Sequence, residues 1–298
     1  MVAAKGPCDD RRMIGTSSFY AAAMLTTAFV VAACGNVSPP LAPAAPATAG
    51  TAKATHPIHT SVFPYADGET ALEGYLAYPT DATANATGPA ILIFHDWMGL
   101  GPSTTRRADQ LAELGYVAFA ADVYGKGVRP ANAGEAGKLA GKYKEDRGLF
   151  RARAQAALKV LAARPGADAS KIVAIGYCFG GTAALELGRS GASIAGIVTF
   201  HGGLATPHPE DAKNIKGRVL ALHGADDPFV KPDEVLAFEE EMRQAHVDWQ
   251  LKAYGGAVHA FSVKEAGNDP SKGAAYDAKA DARSWDDFQL FLRDLFPR

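Results

Sequence analysis

Residues 175–181 read Ile-Gly-Tyr-Cys-Phe-Gly-Gly and follow the apolar run "KIVAI". The core of this stretch, Gly176-Tyr177-Cys178-Phe179-Gly180, is a G-x-S-x-G pattern with cysteine in the serine position. Where such a pattern joins a strand to a helix, the turn forces strained dihedrals on the central residue, and bulky neighbours would collide, so glycines flank it. The turn lifts the sulfur above the strand ends, and the helix N-terminus favours thiolate over thiol. The Phe179 N–H then points where an oxyanion would form. The competing reading is a buried cysteine in a tight turn. A thiolate nucleophile needs a base and an orienting group. Downstream, "LALHGADDPFV" puts Asp226 and Asp227 directly after an apolar run, and "YGGAVHAF" puts His259 after another. Plain turn chemistry accounts for one of the two aspartates. Asp227 is favoured as the orienter, with Asp226 capping or turning the loop.

These residues need elements to hold them. Segment 60–78 reads as two antiparallel strands around the turn signal "ADGE". "AILIF" and "YVAFAAD" are short apolar runs of the kind that form buried strands, and "KIVAIG", "IAGIVTF", "RVLALHG" and "DWQLKAY" also read as strands. Helical spacing runs through "RRADQLAELG", residues 148–163, "GTAALELGRSG", "PDEVLAFEEEMRQA" and "ADARSWDDFQLFLRDLF". This alternation predicts an α/β fold: a mostly parallel central sheet with helices on both faces, preceded by antiparallel N-terminal strands. Ligands in such sheets bind at the carboxyl ends of the strands. Cys178, Asp227 and His259 each follow a strand-like run, in the order nucleophile, acid, histidine.

The chain has 298 residues, a formal charge of −2, and is 48% hydrophobic and 21% charged. That balance is ordinary for a globular protein and gives no field for nucleic acid. Residues 19–33, "FYAAAMLTTAFVVAA", are apolar and uncharged, with Arg11 and Arg12 ahead of them. The run is short for a membrane span and reads as an export signal over 1–33. Val31-Ala32-Ala33-Cys34 resembles the bacterial lipobox, which predicts lipidation at Cys34 and an exported protein, either an envelope lipoprotein or periplasmic. A plain cleaved signal is the alternative, and Met13 is a second candidate start. Residues 34–58, rich in Pro, Ala and Thr, read as a disordered linker, and the folded domain is expected over 59–298. Cys8 and Cys34 fall in the export segment, leaving Cys178 alone in the domain, so no disulfide or zinc framework is expected there. No metal-ligand spacing, phosphate loop or dinucleotide fingerprint is present, and no cofactor is expected.

The motifs "GYCFGG", "HGADDPF", "GGAVHAF" and "FHDWMGLGP" resemble the dienelactone hydrolase family of cysteine-dependent α/β hydrolases, over roughly residues 60–297. The resemblance implies a Cys178–His259–Asp227 triad. It also implies a carboxylate in the loop after the early strand that pairs with the resting cysteine; the matching residue is Asp96, where founding members have glutamate. The next amide, Trp97 N–H, would be the second oxyanion donor. Founding members hold a substrate carboxylate with arginines, one shortly after the histidine; Val263 stands in that region here. Arg147, Arg151 and Arg153 lie in or just before a helix, either within reach of the site or on a solvated face, and Arg151 is kept as a pocket candidate. His201, in "TFHGG", and Tyr124, in "ADVYGKG", are the other pocket candidates. The expected reaction is hydrolysis of a small-molecule ester or lactone through a thioester. A thiol acyltransferase and a non-catalytic envelope binding protein are the alternatives on the same fold.

Overall fold

A computed structural model describes residues 56–81 and 87–297. The export segment, Cys34, and the linker as far as residue 55 lie outside them. At the start of the described chain, the His56 N–H donates to Glu113 O at 3.0 Å and the first strand opens at Ile58. The last residues assigned to the linker therefore belong to the domain.

Eight strands form one sheet in the order β1-β2-β4-β3-β5-β6-β7-β8. β1 (Ile58–Asp67) and β2 (Thr70–Pro79) make an antiparallel hairpin, and β2 runs antiparallel to β4. β3 (Gly88–Phe94), β4 (Val117–Ala121), β5 (Ala167–Tyr177), β6 (Gly196–Phe200), β7 (Arg218–Gly224) and β8 (Trp249–Tyr254) are mutually parallel. Their carboxyl ends therefore share one edge.

Both faces of the sheet are covered. α1 (Pro102–Glu113) and α6 (Ala278–Leu295) pack Leu111, Phe288 and Leu292 against Ile91, Ile93, Val173 and Ile175. On the opposite face α2 (Ala133–Glu145), α3 (Arg147–Ala162), α4 (Phe179–Arg189) and α5 (Pro232–Gln244) pack Tyr143, Phe150, Leu185 and Phe238 with Leu92, Phe94 and Ala174. Consecutive residues of β3 thus serve opposite cores, which is why its run is apolar without alternation.

One helix is absent from the periodicity reading. α2 buries only Ala136, Ala140 and Tyr143, and glycines at 134, 137 and 141 dilute its apolar pattern. Its local signal is a capping box. Asn132 accepts the Glu135 N–H at 3.0 Å, while the Glu135 carboxylate reaches back to the Ala131 N–H and the Asn132 amide.

Candidate active site

β5 ends at Tyr177 and α4 begins at Phe179, which leaves a single residue, Cys178, to turn the chain. It does so at φ 55° and ψ −116°, a region unfavourable for a side chain. Backbone bonds hold the strain: Cys178 N–H donates to Phe200 O and Gly181 N–H to Cys178 O, each at 3.0 Å. The flanking glycines are required by close approach. A Cβ at Gly176 would lie 1.9 Å from Gly180 O, and one at Gly180 would lie 2.2 Å from Phe94 O. The Phe179 N–H, at the first position of α4, has no intrahelical acceptor and is free to face the site.

The loop after β7 brings in Asp227, which is buried. Its Oδ1 accepts the Phe229 and Val230 N–H groups at 2.8 and 3.2 Å, which aims Oδ2 at His259 Nδ1, 2.7 Å away. Asp226 is exposed, and its N–H donates to Ala257 O. The loop after β8 carries His259, pinned on both sides by its N–H to Gly273 O and by Ala275 N–H to its own carbonyl. With Nδ1 on Asp227, the other ring nitrogen is left for the Cys178 sulfur. Burial opposes charge on this ring, but the hydrogen bonds to Asp227 and Cys178 outweigh it and raise its pKa to about 10.

The loop after β3 closes the site. His95 is fully buried; its Nε2 accepts the Val123 N–H at 3.1 Å, so Nδ1 carries the proton donated to Asp96 O at 2.6 Å. Burial lowers its pKa to about 4, so the ring is neutral. It also stacks on Phe179, 5.9 Å between centroids. Asp96 accepts the Met98 N–H at 2.8 Å. Burial pushes its carboxyl pKa up, and the Met98 N–H and His259 counter this. Among the described residues Asp96 makes no hydrogen bond to Cys178. The sulfur faces the His259 ring.

A cavity of about 610 Å³ opens over these groups. Cys178, Phe179, His259, Asp96 and Trp97 line it, and so does Val263, where the resemblance looked for an arginine. Lys144, Glu265 and Lys272 give its rim mixed charge, and Phe229 forms part of its wall. None of these last four was singled out from sequence. Lys144 rides on α2, whose capping box is the signal that would have found it.

Three pocket candidates lie elsewhere. Arg151 is held by Glu186 at 2.9 Å and Asp211 at 2.7 Å, away from the cavity. Glu186 is a fully buried carboxylate that also binds Arg189, so it draws the helix cations inward. Arg147 lies 3.9 Å from the same carboxylate, and Arg153 pairs with Asp67. His201 is fully buried behind His259, with its Nε2 on Ser262 Oγ at 2.8 Å and its ring edge-on to His259, 5.4 Å between centroids. Tyr124 is buried beneath the loop, its hydroxyl donating to Trp97 O at 2.9 Å. Both support lining residues and do not themselves line the cavity. Among the described residues no group of three His, Cys, Asp or Glu is arranged to hold a metal ion, and no helix is long and apolar enough to cross a membrane.

A mostly parallel sheet in this strand order, with a strained cysteine at a strand-to-helix turn and a His–Asp pair from the loops after β7 and β8, defines an α/β hydrolase. The dienelactone hydrolase family profile matches residues 72–296, and the chain belongs to that family, whose reaction is hydrolysis of ester or lactone bonds. A relative from Aquifex aeolicus, named "Putative carboxymethylenebutenolidase", is 31% identical over 223 residues, 72% of this chain and 90% of that protein. Among solved structures, one named m3DLH is 40% identical with a TM-score of 0.77, covering 80% of this chain and 99% of its own. Another, a dienelactone hydrolase-like promiscuous phosphotriesterase from metagenomic libraries, is also 40% identical, with a TM-score of 0.76 over 80% of this chain and 98% of its own.

Proposed function

We propose that the chain hydrolyses carboxylic esters or lactones through a thioester on Cys178, with His259 as acid and base and Asp227 as its orienter. The observation that carries this is the 2.7 Å Asp227–His259 bond, with the far ring nitrogen turned to a sulfur at a strained elbow. The thiolate attacks the carbonyl carbon, forming a C–S bond and an oxyanion held by the Phe179 and Trp97 N–H groups. Each such donor supplies about 3–4 kcal/mol to the transition state. Collapse breaks the C–O bond, and His259 delivers its proton to the departing alkoxide. Water, losing a proton to His259, then attacks the thioester and releases the acid and the thiolate. Asp227 keeps the ring in the required tautomer throughout. The test is p-nitrophenyl acetate hydrolysis. Cys178→Ala is expected to lose about 10³-fold or more in kcat, with acetyl recovered on Cys178 by mass spectrometry of quenched wild type. Equal rates in both proteins would rule out the thiol mechanism, and no turnover in either favours a binding protein.

A second substrate class is favoured by the 40% identity to the promiscuous phosphotriesterase. We propose that Cys178 also attacks phosphorus in aryl phosphotriesters, expelling the aryloxide and forming an S–P bond that water cleaves. Paraoxon is expected to release p-nitrophenolate beyond one equivalent per protein with wild type and none with Cys178→Ala. A burst that stops at one equivalent would mean inhibition and would sink turnover of this class.

For the segment outside the described residues, we propose export with lipidation at Cys34, supported by Val31-Ala32-Ala33-Cys34 after an uncharged apolar run.

A further inference from the structure

Beside the active-site cavity lies a second one of about 430 Å³, walled by the segment after β6, with Leu204 and Pro209, and by Ala237 and Phe238 of α5. Its floor is apolar: Leu204 and Phe238 are buried side chains. Two of the three carboxylates that border it are already engaged. Glu234 Oε1 accepts the Leu204 and Ala205 N–H groups at 2.6 and 2.9 Å, and Glu241 accepts Arg189 at 2.8 and 2.7 Å. Lys231 and Asp233 stand exposed on its rim. The interior therefore suits an uncharged chain better than an ion.

Phe229 lines both cavities. It is 61% exposed, and its ring stands edge-on to His259 at 88°, 5.4 Å between centroids. The direction of a bound ester follows from the chemistry. The carbonyl oxygen belongs at the Phe179 and Trp97 amides, and the alkoxy oxygen belongs at His259, which must protonate it on departure. The chain attached to that oxygen starts beside the ring on which Phe229 rests.

We infer that the cavity beyond Phe229 is the subsite for the alcohol portion of the ester, an uncharged apolar arm of several carbons whose path crosses the Phe229 ring. The inference deepens the Cys178 reading and rests on it. Each methylene buried there strengthens binding about fourfold.

The test compares ethyl, butyl and hexyl acetate with ethyl butyrate and ethyl hexanoate, followed by acid release. Wild-type kcat/KM is expected to rise from ethyl to hexyl acetate. Ala237→Trp, at an exposed position of α5, fills the cavity. It is expected to lose about tenfold or more on hexyl acetate while staying within about twofold on ethyl acetate and ethyl hexanoate. Thr206, on the segment after β6, lines the same cavity; Thr206→Trp fills the space from that wall and is expected to show the same pattern, so the result does not hang on one variant's folding. Alcohol profiles that run parallel in wild type and both variants would overturn the subsite, as would a loss falling on ethyl hexanoate instead. Absence of turnover of every ester by wild type would remove the Cys178 reading itself and the subsite with it, so the two failures are told apart.

Discussion

At the scale of single residues, the acid–base role proposed for His259 turns on the charge of its ring. Burial alone would strip this ring of its proton, but Asp227 and Cys178 hold the proton on and lift its pKa from 6.5 to about 10. The sign follows: the imidazolium is the resting form below that value and is lost as pH rises through it. For alkyl esters, whose alkoxide must be protonated to leave, kcat/KM is expected to fall above about pH 10. p-Nitrophenyl acetate, whose leaving group needs no proton, should lack that alkaline limb. Asp227→Asn removes one of the supporting bonds and should draw the alkyl-ester limb toward lower pH. A pH–rate profile with the same alkaline limb for both ester types would mean that His259 is not the acid. The raised value also bears on stability. The ion pair contributes fully below about pH 6.5 and its contribution fades through about pH 10.

At the scale of elements, the elbow depends on β5, α4 and β3 approaching to backbone contact. Gly180 sits where a methyl group would meet Phe94 O at 2.2 Å and His95 O at 2.5 Å, both backbone atoms at the end of β3. Neither can yield without moving the loop that carries Asp96 and Trp97. Gly180→Ala is expected to cost about 1–3 kcal/mol or more, read as a lower urea midpoint, and to lower kcat beyond what the stability change explains. An unchanged midpoint would show that α4 can shift away from β3. The elements themselves were largely legible in the sequence. The apolar runs became strands because a parallel sheet covered on both sides buries both faces of its inner strands through their apolar stretches. α2 escaped because its buried stripe is alanine and one tyrosine, too weak for an apolar period, although its Asn132–Glu135 capping box is a purely local mark.

At the scale of the whole molecule, a buried ion-pair network ties the helices behind the site to the segment that walls it. Arg189, fully buried, grips Glu241 of α5 with two bonds and Glu186 of α4 with a third, and donates to Leu204 O at 2.9 Å. Glu186 in turn holds Arg151 of α3. Arg151, which the sequence left either within reach of the site or on a solvated face, is thereby committed to structure. The export proposed for this chain is tested separately, at its first residues. If Cys34 is lipidated, cells expressing the wild type and fed a labelled fatty acid should yield labelled protein in the membrane fraction, and Cys34→Ala should be unlabelled. Equal labelling of the two proteins would sink the lipobox reading.

The order of the strands and of every helix but α2, the elbow that carries Cys178, and the chain order of cysteine, aspartate and histidine were determined by the sequence itself. They rest on local dihedral needs and on apolar periodicity, which neighbouring residues declare. Partner choice was decided only by the tertiary structure. Asp227 and Asp226 are adjacent and chemically alike, yet the loop's own amides orient one toward His259 and leave the other in solvent. Arg151 turned inward because the fold leaves the buried Glu186 carboxylate of another helix, which needs a cationic partner, within its reach. The cavity beyond Phe229 exists only because the segment after β6 and α5, distant along the chain, face each other across a gap. Such choices depend on which groups meet after packing, and spacing along a chain does not encode that.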